Sequence, residues 1–101
     1  MDVRKERYRR IRGAILKLLA HEHPGPIDFM VLHRLLDDLR YTMTAEELES
    51  HLVYLQEKGC LKIDNRRTSG VALTMATISA EGLDVLDGFP GHECTGVDVR
   101  F

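Results

Sequence analysis

The most regular hydrophobic pattern lies between residues 44 and 59, where Leu48, Leu52 and Leu55 recur at helical spacing. Thr44 is followed three residues later by a glutamate, which is the spacing of a capping box. Gly59 suits the left-handed position at which helices commonly end. The pattern therefore predicts a helix of about four turns whose N-cap is Thr44.

Apolar residues near the start of the chain recur at spacings of three and four and predict an amphipathic first helix of about five turns. They are Tyr8, Ile11, Ile15 and Leu18. The segment HEHPGP ends this helix, because glycine and two prolines cannot continue it.

Asp28 is the predicted N-cap of a second helix, FMVLHRLLDDLR. Its leucines predict one stripe that packs in the core, namely Leu32, Leu35, Leu36 and Leu39. The turn that follows, RYTM, has Tyr41 where helix-turn-helix motifs commonly have glycine.

Two short runs of apolar and β-branched residues, CLKID and VALTMATI, follow the third helix. The polar segment NRRTSG between them has turn chemistry, so we expect a hairpin with Arg66, Arg67 and Thr68 at its tip. Ser79 then caps a short helix that ends at Gly88. The final residues, FPGHECTGVDVRF, have no period, and their end, VDVRF, could form an edge strand or stay loose.

The segment LVYLQEKGCLKI, with the hairpin and TISAEG after it, resembles the winged-helix family over residues 5–88. It is similar to small bacterial regulators of the ArsR, MarR and PadR kind, and ISAEGLDVLDG is similar to winged-helix proteins of Mu-like prophages. The resemblance implies a mainly α fold with a small β-hairpin: a three-helix core, a two-stranded wing and a short C-terminal helix. Residues 1–88 would form this winged-helix domain and residues 89–101 a C-terminal tail. The helix before the wing would be the recognition helix of a transcriptional regulator.

Composition is that of an ordinary globular chain, with 101 residues, 44% hydrophobic and 30% charged. This length suits one domain. No apolar run approaches the ~20 residues of a membrane span, so we expect no membrane association and a cytoplasmic protein. Two cysteines without paired spacing are expected to be free thiols.

Charge is sorted by element, although the net charge is only −2. Residues 1–20 carry seven cations and two carboxylates, whereas residues 44–59 carry four glutamates and one lysine. The hairpin has three cations and one aspartate. The helix expected to read DNA is therefore acidic, and its neighbours are basic.

The outer face of the third helix, which would make the base contacts, holds Glu46, Ser50, Val53 and Glu57, with Glu49 and Tyr54 at the flanks. Glutamate can accept from cytosine, serine can reach phosphate or base, and valine can meet a thymine methyl group. Phosphate neutralisation, however, provides most of the affinity of DNA binders, and this face has no cation. An exposed valine and tyrosine among carboxylates also fit a protein interface.

Two functions therefore stay open. In the first, the protein binds double-stranded DNA: Arg66, Arg67 and Thr68 hold the flanking backbone, and the first helix, with Arg9 and Arg12, supplies further cations or a homodimer contact. For both sets of cations, a solvated surface without a partner is the open alternative. In the second, the same fold is a protein interaction module without DNA binding.

Enzymatic and metal chemistry have little support in the sequence. There is no glycine-rich phosphate loop and no recognisable spacing of nucleophile and base. We therefore expect that the protein is not an enzyme and binds no cofactor. His21 and His23 lack acidic or cysteine partners nearby, and His92 with Cys94 alone does not make a zinc site. No metal is expected.

Overall fold

In the computed structural model, which describes residues 2–100, the chain forms four helices and a three-stranded antiparallel sheet. The helices are α1 (Val3–Glu22), α2 (Phe29–Asp38), α3 (Ala45–Glu57) and α4 (Ala80–Asp87). The strands are β1 (Ile27–Asp28), β2 (Leu61–Thr68) and β3 (Val71–Ile78). The fold is thus mixed α/β; it is consistent with the expected helices and β-hairpin and has a third strand in addition.

The predicted helix starts are confirmed by their caps. The Thr44 hydroxyl accepts the backbone N–H of Glu47 at 3.1 Å, and the Asp28 carboxylate accepts that of Met30 at 2.7 Å. Ser79 caps α4 in the same way. Each cap satisfies an N–H that the helix itself leaves unpaired.

The prediction for the end of α2 was wrong. The helix stops at Asp38, and Arg40 takes the left-handed conformation with φ +72° in place of a glycine. The N–H of Tyr41 donates to Leu36 O, which completes a Schellman-type end. Leu39 is consequently at the helix end and 49% exposed, so it is not part of the core stripe.

The sheet has a strand that the sequence analysis did not include. β1 pairs with β3, with Ile27 opposite Ala76, so the strand order is β1-β3-β2. β1 consists of the two residues immediately before α2, which pair with the hairpin, and its Ile27 is buried. This pairing fixes the position of the hairpin relative to α2.

The core lies between the three longer helices and the inner face of the sheet. Its largest fully buried side chains are Ile11, Ile15, Leu16, Leu19, Leu32, Leu36, Leu48, Leu52, Leu55 and Cys60. The predicted stripe of α3 is therefore the buried face of that helix.

The chain after α4 packs against α1 with no regular secondary structure. Val97 and Asp98 are buried, and the N–H of Asp98 donates to the carbonyl oxygen of Arg9 at 3.0 Å. Gly13 allows this approach, because a Cβ there would overlap the carbonyl oxygen of Asp98. A part of the chain without any period is thus held by α1.

Candidate nucleic-acid interface

The residues expected on the outer face of α3 line one open surface of the structure, and all of them are exposed except Tyr54, which is partly buried. They are Glu46, Glu49, Ser50, Val53, Tyr54 and Glu57. Val53 is 40% exposed. The Ser50 hydroxyl donates to the carbonyl oxygen of Glu46 at 3.1 Å, one turn earlier, and keeps its lone pairs for an incoming donor.

On one side of this face, a cleft of about 420 Å³ separates α3 from the hairpin. Its apolar lining includes Phe29, Val53 and Ile63, and Glu49 and Asn65 add polar groups. The side-chain oxygen of Gln56, on α3, accepts a hydrogen bond from the N–H of Ile63 at 2.7 Å and so connects the helix to β2. The cleft is thus open to solvent, and the hydrogen bond between α3 and β2 fixes the relative position of its two walls.

The expected position of the arginines at the hairpin tip is wrong. β2 and β3 remain paired to Thr68 and Val71, and the turn consists of Ser69 and Gly70, with φ +51° and +79°. Two consecutive positive φ angles match the tight turns that suit the twist of a hairpin. Arg66 and Arg67 therefore belong to the strand.

Consecutive residues of a strand point to opposite faces of the sheet, so the two arginines have different surroundings. Ile63 and Asn65 face the cleft beside α3, and the alternation places Arg67 on that face. Arg66 lies on the opposite face, where it pairs with the Asp64 carboxylate at 2.7 Å. The hairpin thus presents Arg67, but not Arg66, on the side of α3.

On the other side of the α3 face, the basic residues of α1 line a groove with Tyr54. They are Lys5, Arg9 and Arg12. Arg9 donates to the carbonyl oxygen of Thr95 at 2.8 Å and pairs with Glu6 at 3.1 Å. The two arginines predicted to meet phosphate therefore also hold the C-terminal segment, because Arg12 donates to the carbonyl oxygen of Gly96 at 3.2 Å.

His51 is a buried residue of α3 that the sequence analysis missed. It is only 4% exposed, and its Nδ1 accepts a hydrogen bond from Arg12 Nε at 3.2 Å. Burial, and then the positive charges of Arg12 and Arg7, lower the pKa of His51 from 6.5 to about 4. The imidazole is therefore neutral at pH 7 and acts as an acceptor. Its spacing of three from Leu48 and four from Leu55 could have shown that it lies on the buried face.

Another group of titratable side chains lies just beyond the C-terminal end of α3, away from its exposed face. Cys60 is buried where β2 begins, and burial, with Cys94 and Glu81 nearby, raises the pKa of its thiol to about 11. Both cysteines are free thiols, as expected. A thiol with this pKa is protonated at pH 7 and is a poor nucleophile.

No protein-family model matches the chain, and no curated protein matches it in a sequence search. Within the described part of the chain, no helix has the length and apolar character needed to cross a membrane.

Proposed function

We propose that the protein is a winged-helix DNA-binding domain of a cytoplasmic transcriptional regulator, with α3 as the recognition helix and the β2–β3 hairpin as the wing. One observation carries the proposal: the exposed face of α3 runs between two basic borders. Arg67 lies on the hairpin side, and Lys5, Arg9 and Arg12 lie on the α1 side. A helix flanked in this way can enter the major groove while cations on both sides meet the two phosphate backbones.

The carboxylates on α3 give this interface an unusual balance. Glu46 and Glu49 repel the phosphate backbone of DNA, so non-specific affinity for DNA must come from the two basic borders of the α3 face. Within the groove, the same carboxylates can accept from cytosine amino groups. We expect low affinity for random DNA and an energetic preference for sites that offer such donors.

Binding of a labelled random-sequence duplex, followed by fluorescence anisotropy over a salt titration from about 50 to 200 mM, tests the proposal. Binding should weaken steeply with salt. Replacing Glu46 and Glu49 with glutamine should strengthen binding to random DNA, because two repelling charges are removed. Absence of binding by the wild type at the lowest salt would contradict the proposal, because cation contacts are strongest there.

The second candidate function is a protein interaction module, and the acidic, partly apolar face of α3 is the observation that favours it. Val53 and Tyr54 on this face lie beside the cleft and the groove and are surrounded by glutamates. A basic partner with an apolar anchor would fit this surface. A partner retained by the wild type and by Val71→Ser, but lost with Val53→Ser, would support this function, since Val71 is an exposed valine beside the hairpin turn.

A further inference from the structure

Three metal-ligating side chains meet where α4 faces the C-terminal segment. Glu81 and Asp84 lie three residues apart, and therefore on one side of α4. The helix ends at Gly88 with φ +73°, and the N–H of His92 donates to the carbonyl oxygen of Phe89 at 3.1 Å. These two turns bring the imidazole back to the helix.

The distances in this cluster suit a small ion. His92 Nδ1 lies 2.9 Å from Glu81 Oε2 and 3.9 Å from Asp84 Oδ2, and one ligand atom from each residue lies within 4.8 Å of the others. In a tetrahedral zinc site, bonds of 2.0–2.2 Å place the ligand atoms about 3.3 Å apart. The two distances from His92 Nδ1 lie on either side of that value, and the 4.8 Å limit means that every pair of ligand atoms can reach it by a change of about 1.5 Å or less.

We propose that Glu81, Asp84 and His92 form a binding site for a divalent transition-metal ion of the Zn²⁺ class, which links α4 to the C-terminal segment. The imidazole nitrogen selects such ions over Mg²⁺ and Ca²⁺, which prefer all-oxygen shells. The three side chains are only partly buried, so water has access to the fourth coordination position. The hydrogen bond between His92 and Glu81 holds two of the proposed ligands together.

The test is isothermal titration of the whole chain with ZnCl₂ after treatment with a chelator. We expect one equivalent of zinc to bind and to raise the melting temperature. Glu81→Gln and Asp84→Asn should each weaken binding at least tenfold. Asp84→Asn is the cleaner variant, because the Asp84 carboxylate lies 3.9 Å from His92 Nδ1, whereas the Glu81 carboxylate lies 2.9 Å from it and holds the C-terminal segment.

Three matched controls each remove one other side chain that could bind zinc. Asp87→Asn removes an exposed carboxylate of the same helix, His23→Gln removes an exposed histidine elsewhere, and Cys94→Ser removes the nearest thiol in sequence. All three should keep the wild-type affinity.

Three outcomes would overturn the proposal. They are no zinc binding by the wild type, loss of binding in Cys94→Ser with full binding in Asp84→Asn, and displacement of zinc by an equal concentration of Mg²⁺. The last would show an unselective acidic surface.

Discussion

The guanidinium carbon of Arg12 lies 3.8 Å from the ring centroid of Tyr54, so α1 and α3 are joined by a cation–π contact. Both residues are among the DNA contacts expected from the sequence, and in the structure they also contact each other. Arg12 donates in addition to His51 and to the carbonyl oxygen of Gly96. Its guanidinium therefore connects two helices and the C-terminal segment.

Arg12 therefore has a structural role as well as its proposed role in DNA binding. Replacing Arg12 would remove a charge near the proposed DNA site and would also leave the buried His51 without its donor. A loss of DNA binding in that variant would have two causes. Arg67, on an exposed strand, is the better residue to change.

Truncation of the α3 stripe should destabilise the whole fold. Leu52 is 1% exposed at the centre of α3, and Leu52→Ala should lower the free energy of unfolding by about 2 to 5 kcal/mol. The matched control is Val53→Ala on the exposed face, where we expect a change of about 0.5 kcal/mol or less. Denaturant titration measures both, and a loss below about 1 kcal/mol for Leu52→Ala would contradict the assigned core.

His51 should make stability depend on pH between 6.5 and 4. Above pH 6.5 the imidazole is neutral in both the folded and the unfolded chain, so the titration of His51 takes nothing from the free energy of unfolding. As the pH falls below 6.5, the unfolded chain binds a proton that native His51 excludes down to about pH 4. The free energy of unfolding should therefore decrease, by an amount on the order of 3 kcal/mol at pH 4.

Urea titrations at several pH values, with His51→Gln as the control, measure this effect. The glutamine variant should lose the His51 part of the slope because its side chain does not titrate. Titration of Asp98 does not add to this slope. The backbone N–H of Arg100 lowers the pKa of the Asp98 carboxyl below 3.8, so the stabilisation by its charged form is lost only at lower pH. Equal slopes for the wild type and the variant would contradict the prediction.

Sequence reasoning located the helices because their signals are local. The caps at Asp28, Thr44 and Ser79 depend on one side chain and a backbone group two or three residues away. The leucine stripes likewise depend on spacing within one element. Arg40 is an exception: it has the φ angle usually given to glycine, and nothing in its side chain indicates that conformation.

The missed features depend on partners far along the chain. β1 has two residues, too few for any period, and is defined only by its pairing with β3. The segment NRRTSG is polar because the end of the hairpin is solvated on both faces, so composition could not distinguish its strand residues from its turn. The burial of Val97 follows from its docking on α1, which no local pattern encodes.

Gly13→Ala tests the docking of the C-terminal segment, because two effects of opposite sign compete. Helix propensity alone favours alanine by about 1 kcal/mol inside a helix. The added Cβ, however, would overlap the carbonyl oxygen of Asp98, and overpacking costs about 1 to 3 kcal/mol. We expect net destabilisation and faster hydrogen exchange at the Asp98 N–H, with Arg4→Ala on exposed α1 surface as a neutral control. A higher denaturation midpoint for Gly13→Ala would show that the segment is not packed there.

The two arginines of β2 allow the DNA-binding proposal to be tested with a matched pair. Arg67 lies on the sheet face beside α3, whereas Arg66 lies on the opposite face and is neutralised by Asp64 at 2.7 Å. Arg67→Ala should therefore weaken binding to all duplex sequences alike and reduce the slope of log affinity against log salt by about 0.9, the value for one lost phosphate contact. Arg66→Ala removes the same formal charge from the chain but should leave affinity and slope nearly unchanged. Fluorescence anisotropy with one random duplex measures both variants. Equal losses would mean that only net charge matters, and a larger loss for Arg66→Ala would place the DNA on the other face of the hairpin, away from α3.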